Sequence, residues 1–132
     1  MKRYLLDTNI VSHLLRGHPG LMQRVEAVPM TSLCISAITE GELLFGLAKR
    51  PAATRLQQLV QAFLRRVDVL PWDSEVAACY GQTRAALSER GKVIAPLDLL
   101  IAAHALSTGA VLVTNDQAFR QIDGLLLDDW TI

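Results

Sequence analysis

Arg3-Tyr4-Leu5-Leu6-Asp7-Thr8-Asn9, with residues 10–16 and Gly17 behind it, decides how the rest of the chain is read. Residues 3–6 form a short, mostly apolar run rich in strand formers, the pattern of a buried strand. Asp7, Thr8 and Asn9 can each cap a helix. Residues 10–16 then carry a helical pattern that stops at Gly17, a residue suited to the left-handed end of a helix. Strand passes to helix with almost no loop, as the repeating unit of a parallel sheet requires.

The same alternation continues. Pro19 opens a second helix running to about Val28, and Pro29 stops it. Leu33-Cys34-Ile35 reads as a strand, with Ser36 capping a helix to about Lys49. Pro51 introduces a helix over residues 52–66 whose apolar face carries Leu56, Val60 and Phe63. Residues 67–70 form a strand closed by Pro71, and Asp73 or Ser74 caps a helix to about Arg90. Residues 94–97 read as a loop or single turn and residues 98–107 as a helix ended by Gly109. Residues 110–113 are a strand, 114–116 a junction to a short helix, and 125–127 a last strand. Strands alternating with helices predict an α/β fold: one domain over residues 1–132, a three-layer α/β/α sandwich around a mostly parallel central sheet. In such sheets a ligand sits beyond the carboxyl ends of the strands, where the strand order reverses.

Composition removes several function classes. A chain of 132 residues supports one core without staples. Its 51% apolar content and mean hydropathy of +0.27 leave apolar surface for a partner. No apolar run approaches the ~20 residues that span a bilayer. The apolar stretch at the start ends at Asp7, short of a secretory segment, so a cytoplasmic protein with no membrane role is expected. Two cysteines make no disulfide framework, and three histidines without ligand spacing make no zinc site. The 13 basic and 13 acidic residues cancel, which excludes binding by bulk charge. They are unevenly placed, however. Lys49, Arg50, Arg55, Arg65 and Arg66 follow one another without an intervening acid, whereas the last 17 residues hold four acids and one arginine. The basic stretch is either a solvated helix face or a holder of substrate phosphates or of a partner's acids.

Four acids stand where a parallel sheet would gather them. Asp7 follows the first strand, Asp116 lies three residues past the strand at 110–113, Asp98 begins a helix, and Glu42 lies within one. Each has a structural reading, since a loop acid beside a parallel strand caps the next helix. Two acids on one sheet edge favour a site. Glu40 and Glu42 lie about 200° apart around a helix, so only one can point into it. Periodicity leaves that choice open. Thr8, Asn9, Ser36, Thr39, Thr114 and Asn115 flank the acids and are candidates for orienting them, Asn9 first among them because it sits two residues after Asp7, with capping and turn chemistry the plainer role for Ser36 and Thr114. His104 is expected at the core edge or surface, and Trp72 and Trp130 in packing rather than base stacking.

Four stretches in order carry a family resemblance: Tyr4-Leu5-Leu6-Asp7-Thr8-Asn9; Ile35-Ser36-Ala37-Ile38-Thr39-Glu40-Gly41-Glu42-Leu43-Leu44-Phe45-Gly46; Pro96-Leu97-Asp98-Leu99-Leu100-Ile101-Ala102-Ala103; and Leu112-Val113-Thr114-Asn115-Asp116 with Phe119. Together they resemble the PIN-domain ribonucleases, specifically the VapC-type toxins of bacterial toxin–antitoxin pairs, nearly end to end. The resemblance implies that the family's catalytic, metal-binding acids fall on Asp7, Glu42, Asp98 and Asp116, and its Glu-Leu-x-x-Gly pattern selects Glu42 over Glu40. It implies Mg²⁺-dependent hydrolysis of RNA (Mn²⁺ also suits such sites), with 5′-phosphate and 3′-hydroxyl products, in an enzyme that inhibits translation until neutralised, with transfer RNA one compatible substrate. It also implies a VapB-like antitoxin partner, through which alone DNA would be contacted, and a homodimer.

The acid set has a physical logic. At ~4 Å and an effective dielectric of ~20, each carboxylate pair repels by about 4 kcal/mol, which a hard divalent cation with oxygen ligands relieves. Rival readings fit less well. A phosphotransfer receiver needs adjacent acids after the first strand and a lysine after a late one. A haloacid-type phosphatase needs Asp-x-Asp where Asn9 stands. A dinucleotide-binding domain needs a Gly-rich first turn. A catalytically inactive PIN-like interaction module remains, opposed by the presence of all four acids.

Overall fold

The computed structural model describes residues 2–132. Five strands form one sheet, all neighbours parallel: β1 (Tyr4–Leu6), β2 (Leu33–Ser36), β3 (Asp68–Leu70), β4 (Val111–Val113) and β5 (Leu127–Asp128). Six helices cover it: α1 (Thr8–Leu15), α2 (Pro19–Glu26), α3 (Ala37–Ala48), α4 (Thr54–Arg66), α5 (Ser74–Glu89) and α6 (Pro96–Thr108). Single 3₁₀ turns occur at Met30–Ser32 and Gln117–Gln121. The sheet order is β3-β2-β1-β4-β5. The chain winds outward from β1 to one edge, then returns to β1's other side with β4. The order therefore reverses between β1 and β4, which places a crevice at their carboxyl ends.

Alternation along the strands divides the core. Leu5, Cys34 and Leu112 face the layer containing Leu99, Ile101, Ala102 and Phe119. Leu6, Leu33, Ile35 and Val113 face the layer containing Ile10, Leu21, Leu43, Val60 and Trp130. Both faces of the sheet are dry, as parallel sheets require. Cys34 is wholly buried among these side chains, and burial pushes its thiol up to about 11, where it stays neutral. Among the described residues, no helix is long and apolar enough to cross a membrane.

Several boundaries differ from the sequence reading by one or two residues, among them the start of α1 at Thr8 and the end of α2 at Glu26, and three have a clear physical reason. Helix α6 begins at Pro96, two residues before Asp98, because proline fits the first helical turn, where its missing N–H has no partner to lose. Helix α4 begins at Thr54, since residues 51–52 form a turn instead. The last strand is Leu127–Asp128 rather than 125–127, set by pairing with Leu112 and Val113.

Both tryptophans are structural. The Trp72 indole donates to the Leu100 carbonyl at 3.0 Å and tilts edge-on to Tyr80, tying the β3–α5 junction to α6. Trp130 is 1% exposed, packs on Tyr4 at a centroid distance of 5.0 Å and donates to Asp128 Oδ2 at 2.9 Å, with the Arg24 guanidinium over its ring. Replacing it removes the largest side chain of its layer. Trp130→Ala is expected to lower stability by about 3–5 kcal/mol, read as a drop in the urea midpoint with an unchanged slope.

Candidate active site

Asp7 is the first residue beyond β1 and the N-cap of α1. Its Oδ1 accepts from the Ile10 amide at 2.8 Å, and the residue is only 4% exposed. Asp116 repeats this beyond β4: its Oδ1 accepts from the Ala118 amide at 2.9 Å, while its own amide donates to Thr114 Oγ1 at 3.1 Å. The capping and site readings of these acids are compatible, because a carboxylate has two oxygens and the cap occupies one. Asp98 lies in the first turn of α6, and Glu42 in the second turn of α3.

Their charges meet. Burial pushes the Asp7 carboxyl above the usual carboxylate range; the Thr114 hydroxyl and Ile10 amide pull it back in part, and Asp98 and Asp116 push it up further. Asp98 is raised first by burial, then by Asp116 and Glu42. All four acids are thus electrically linked across the crevice, Glu42 through Asp98. The donors are carboxylate oxygens, chemistry suited to a hard divalent ion. Among the described residues no three acidic, histidine or cysteine side chains are already arranged to hold an ion together.

Thr8 reaches Glu42, not Glu40. Its hydroxyl donates to Glu42 Oε1 at 2.6 Å and lies 3.1 Å from Thr39 Oγ1, joining α1 to α3 across the crevice. Glu40 lies in the first turn of α3, where a negative charge favours the helix dipole. Asn9, the residue favoured for orienting an acid, is exposed, as is Asn115. The contact falls to Thr8 because the turn after Asp7 aims position 8 at α3 and position 9 outward. Thr8 and Thr39 are both among the residues the sequence offers for orienting the acids; what it does not give is the preference for Thr8 over Asn9.

Ser36 and His104 form a second junction. Ser36 Oγ accepts from the Ile38 amide at 3.1 Å, capping α3, and lies 2.8 Å from His104 Nδ1. His104 is 1% exposed, not at the surface or core edge. Burial lowers its pKa, opposed by Asp73, so the ring is neutral and Ser36 can donate to Nδ1 while accepting from the amide. The bond joins α6, which carries Asp98, to the start of α3, which carries Glu42.

Comparison with known proteins places the chain in a family. The sequence matches the PIN domain family over residues 4–125. It is 34% identical over 132 residues, 99% of this chain and 100% of the relative, to the tRNA(fMet)-specific endonuclease VapC of Shigella flexneri. The fold is similar to that in the crystal structure of DNA-bound VapBC from Salmonella typhimurium, with a TM-score of 0.92 and 36% identity over 98% of this chain and 99% of that one. It is also similar to VapBC2 from Rickettsia felis bound to a promoter DNA fragment, with a TM-score of 0.88 and 32% identity over 96% and 98% of the two chains.

The raised carboxyls have a consequence for stability. An acid whose folded pKa exceeds its unfolded value binds protons more readily in the folded state, so ionising it costs stability as pH rises through that window. In metal-free buffer, Asp7→Asn, which keeps a side-chain cap, and Asp98→Asn are expected to raise Tm by a few degrees at pH 7. The gain should shrink as pH falls below the ordinary carboxylate range, where the wild-type acids are protonated in both states. Thermal melts at several pH values check this, and an unchanged or lower Tm at pH 7 for both variants would contradict it.

Proposed function

The chain belongs to the PIN-domain family and, within it, to the VapC ribonucleases, and from that premise we propose that it is a divalent-metal-dependent endoribonuclease, the toxin of a toxin–antitoxin pair. The observation that carries the reading is the mutual repulsion at the crevice, where Asp98 and Asp116 raise Asp7, and Asp116 and Glu42 raise Asp98. A cleft that gathers anions lacks its counter-charge, and RNA hydrolysis by a metal ion gives that cost a purpose.

Asp7 and Asp98 are the first choices to hold Mg²⁺ (or Mn²⁺) directly, with Glu42 and Asp116 joining through water or completing a second ion's ligands. When bound, the ion polarises the scissile phosphate and lowers the pKa of the attacking water. Asp7 keeps Oδ1 on the Ile10 amide, which fixes the carboxylate plane and leaves Oδ2 for the site. Thr8 holds Glu42 in one rotamer by donating to Oε1. Thr114 lies beside Asp7 and accepts from the Asp116 amide, so one hydroxyl steadies two of the acids. Ser36 fixes the start of α3 and Asn115 precedes Asp116 at the crevice rim; Asn9, pointing outward, is left to substrate contact.

Transfer RNA is the substrate class to test first, because a relative matched over its whole length is named for it. The partner is a VapB-like antitoxin, as in the VapBC structures, with any DNA contact made by that partner; self-association into a homodimer and a cytoplasmic site of action accompany the reading.

Purified protein is expected to cut transfer RNA in Mg²⁺ and to stop on chelation. Asp7→Asn and Asp98→Asn should each lose at least 10²-fold in rate, a typical loss for a group acting at the reacting centre. Thr8→Val should lose about 10-fold, as for a residue that orients a ligand. Equal cutting by wild type and both Asn variants in a gel assay would remove the assignment.

A further inference from the structure

A trough of about 370 Å³ leads away from the four acids between α1, α3 and α4. Two helices supply its walls with matching stripes. On α1, Thr8 and Ser12 lead to Arg16 just past the helix end, at spacings of four residues that share one face. On α3, Glu42, Gly46 and Lys49 do the same at four and three. At ~1.5 Å of rise per residue, Arg16 and Lys49 stand roughly 10–12 Å along the axes from Thr8 and Glu42. Arg50 completes the far end, and a shallower continuation past Arg16 reaches Arg55. Leu15, Leu43 and Leu47 line the side toward the core.

The charges here are unspent. Among the described residues the ion pairs are Arg3–Asp68, Arg24–Asp128 and Arg90–Asp123, none in the trough. Its sole lining acid is Glu42, at the end nearest the site. The far end is held in place: Gln57 of α4 donates to the Leu47 and Arg50 carbonyls at 3.1 and 3.2 Å, fastening the end of α3 to α4. Lys49 Nζ lies 4.7 Å from the ring centroid of Phe45, an exposed residue of α3. Gly46 leaves the wall open, since a Cβ there would meet nothing within 4 Å.

We propose that this trough carries the RNA strand flanking the bond to be cut, with Arg16, Lys49 and Arg50 holding its phosphates. The inference rests on the ribonuclease reading above and names its substrate path. A polyanion entering a cleft of four carboxylates needs cations nearby, and phosphate contacts supply much of the affinity for nucleic acid. Among the described residues these cations form no ion pair, and they line one groove that reaches Glu42. The hydroxyls of Thr8 and Ser12 suit ribose and phosphate oxygens, and Phe45 offers a base a face to stack on.

The test measures kcat and KM for a fluorescein-labelled transfer RNA transcript in Mg²⁺ over a salt series, with binding of the same RNA followed by anisotropy in EDTA. The triple variant R16Q/K49Q/R50Q is expected to raise KM at least tenfold with kcat within twofold. It should also flatten the dependence of log KM on log salt by ~0.7 for each phosphate no longer held. Gly46→Leu, which fills the trough and suits a helix, should raise KM without lowering Tm. R65Q/R66Q, at the end of α4 outside the trough, should match wild type. Unmoved KM and salt slope in the triple variant would overturn the proposal, as would a loss confined to kcat. If the triple variant loses affinity for an acidic, leucine-rich helical peptide while its KM for RNA stays put, the trough is a protein-docking groove and the proposal falls. Wild type that cuts no RNA would instead sink the ribonuclease reading, and the anisotropy comparison would still decide the trough.

Discussion

Carboxylates held together against their own repulsion are the constraint on which the rest of this molecule turns. Asp7 and Asp98 sit above the usual carboxylate range because they are buried and face other acids. Nothing in the core benefits from that placement. The sheet imposes it: with the order β3-β2-β1-β4-β5, whatever follows β1 and β4 must share the crevice where the order reverses. The structure tolerates the arrangement through its surroundings. Backbone amides at two helix starts donate to one oxygen each of Asp7 and Asp116, and Thr8 steadies Glu42. The repulsion that remains is a local loss of stability of the kind active sites commonly carry.

Helix capping and site-building are often treated as competing explanations of a loop acid, but here they cooperate. A cap fixes the rotamer of its carboxylate by a bond to an amide whose position the helix dictates. The second oxygen is then aimed with little freedom left to lose, as a preorganised site requires. The same economy appears at Ser36, whose hydroxyl accepts from the Ile38 amide and reaches His104, so that one side chain sets the start of α3 and locks α6 against it.

Local signals made much of this legible in the sequence. Tyr4-Leu5-Leu6 before Asp7, and residues 110–113 before Asp116, identify two parallel strands and their terminal acids, because a strand run and a cap need no tertiary information. Glu42 was different. Helix α3 packs Ile38 toward one core layer and Leu43 and Leu47 toward the other, so apolar residues occupy most of its circumference and no single polar face remains to select Glu42 over Glu40. Family resemblance supplied Glu42, and the contact from Thr8 agrees with it. His104 escaped for a related reason. On α6, Leu99 and all of residues 101–105 are buried, so the helix has no solvent side there from which to infer where an imidazole points. Its partner, Ser36, is 68 residues away, beyond the reach of periodicity.

Net charge was the least informative number, because its zero is a sum over opposed regions. Seven of the 13 acids lie at the crevice or along the C-terminal segment, where Asp123, Asp128 and Asp129 join Asp116. Among the described residues, Lys49 and Arg50 at the end of α3 and Arg55, Arg65 and Arg66 on α4 form no ion pair, and Arg16 beyond α1 joins them. An acidic pocket with no positive surround would repel nucleic acid before any metal ion could act on it, since the potential of a cleft extends about a Debye length, ~8 Å at physiological salt. Cations set roughly 10–12 Å along the helices from the acids reverse that field at the approach without sitting close enough to neutralise the carboxylates as permanent ion pairs. Spacing along α1 and α3, rather than the count of charges, therefore lets one small neutral protein keep an anionic centre and still draw an anionic strand toward it.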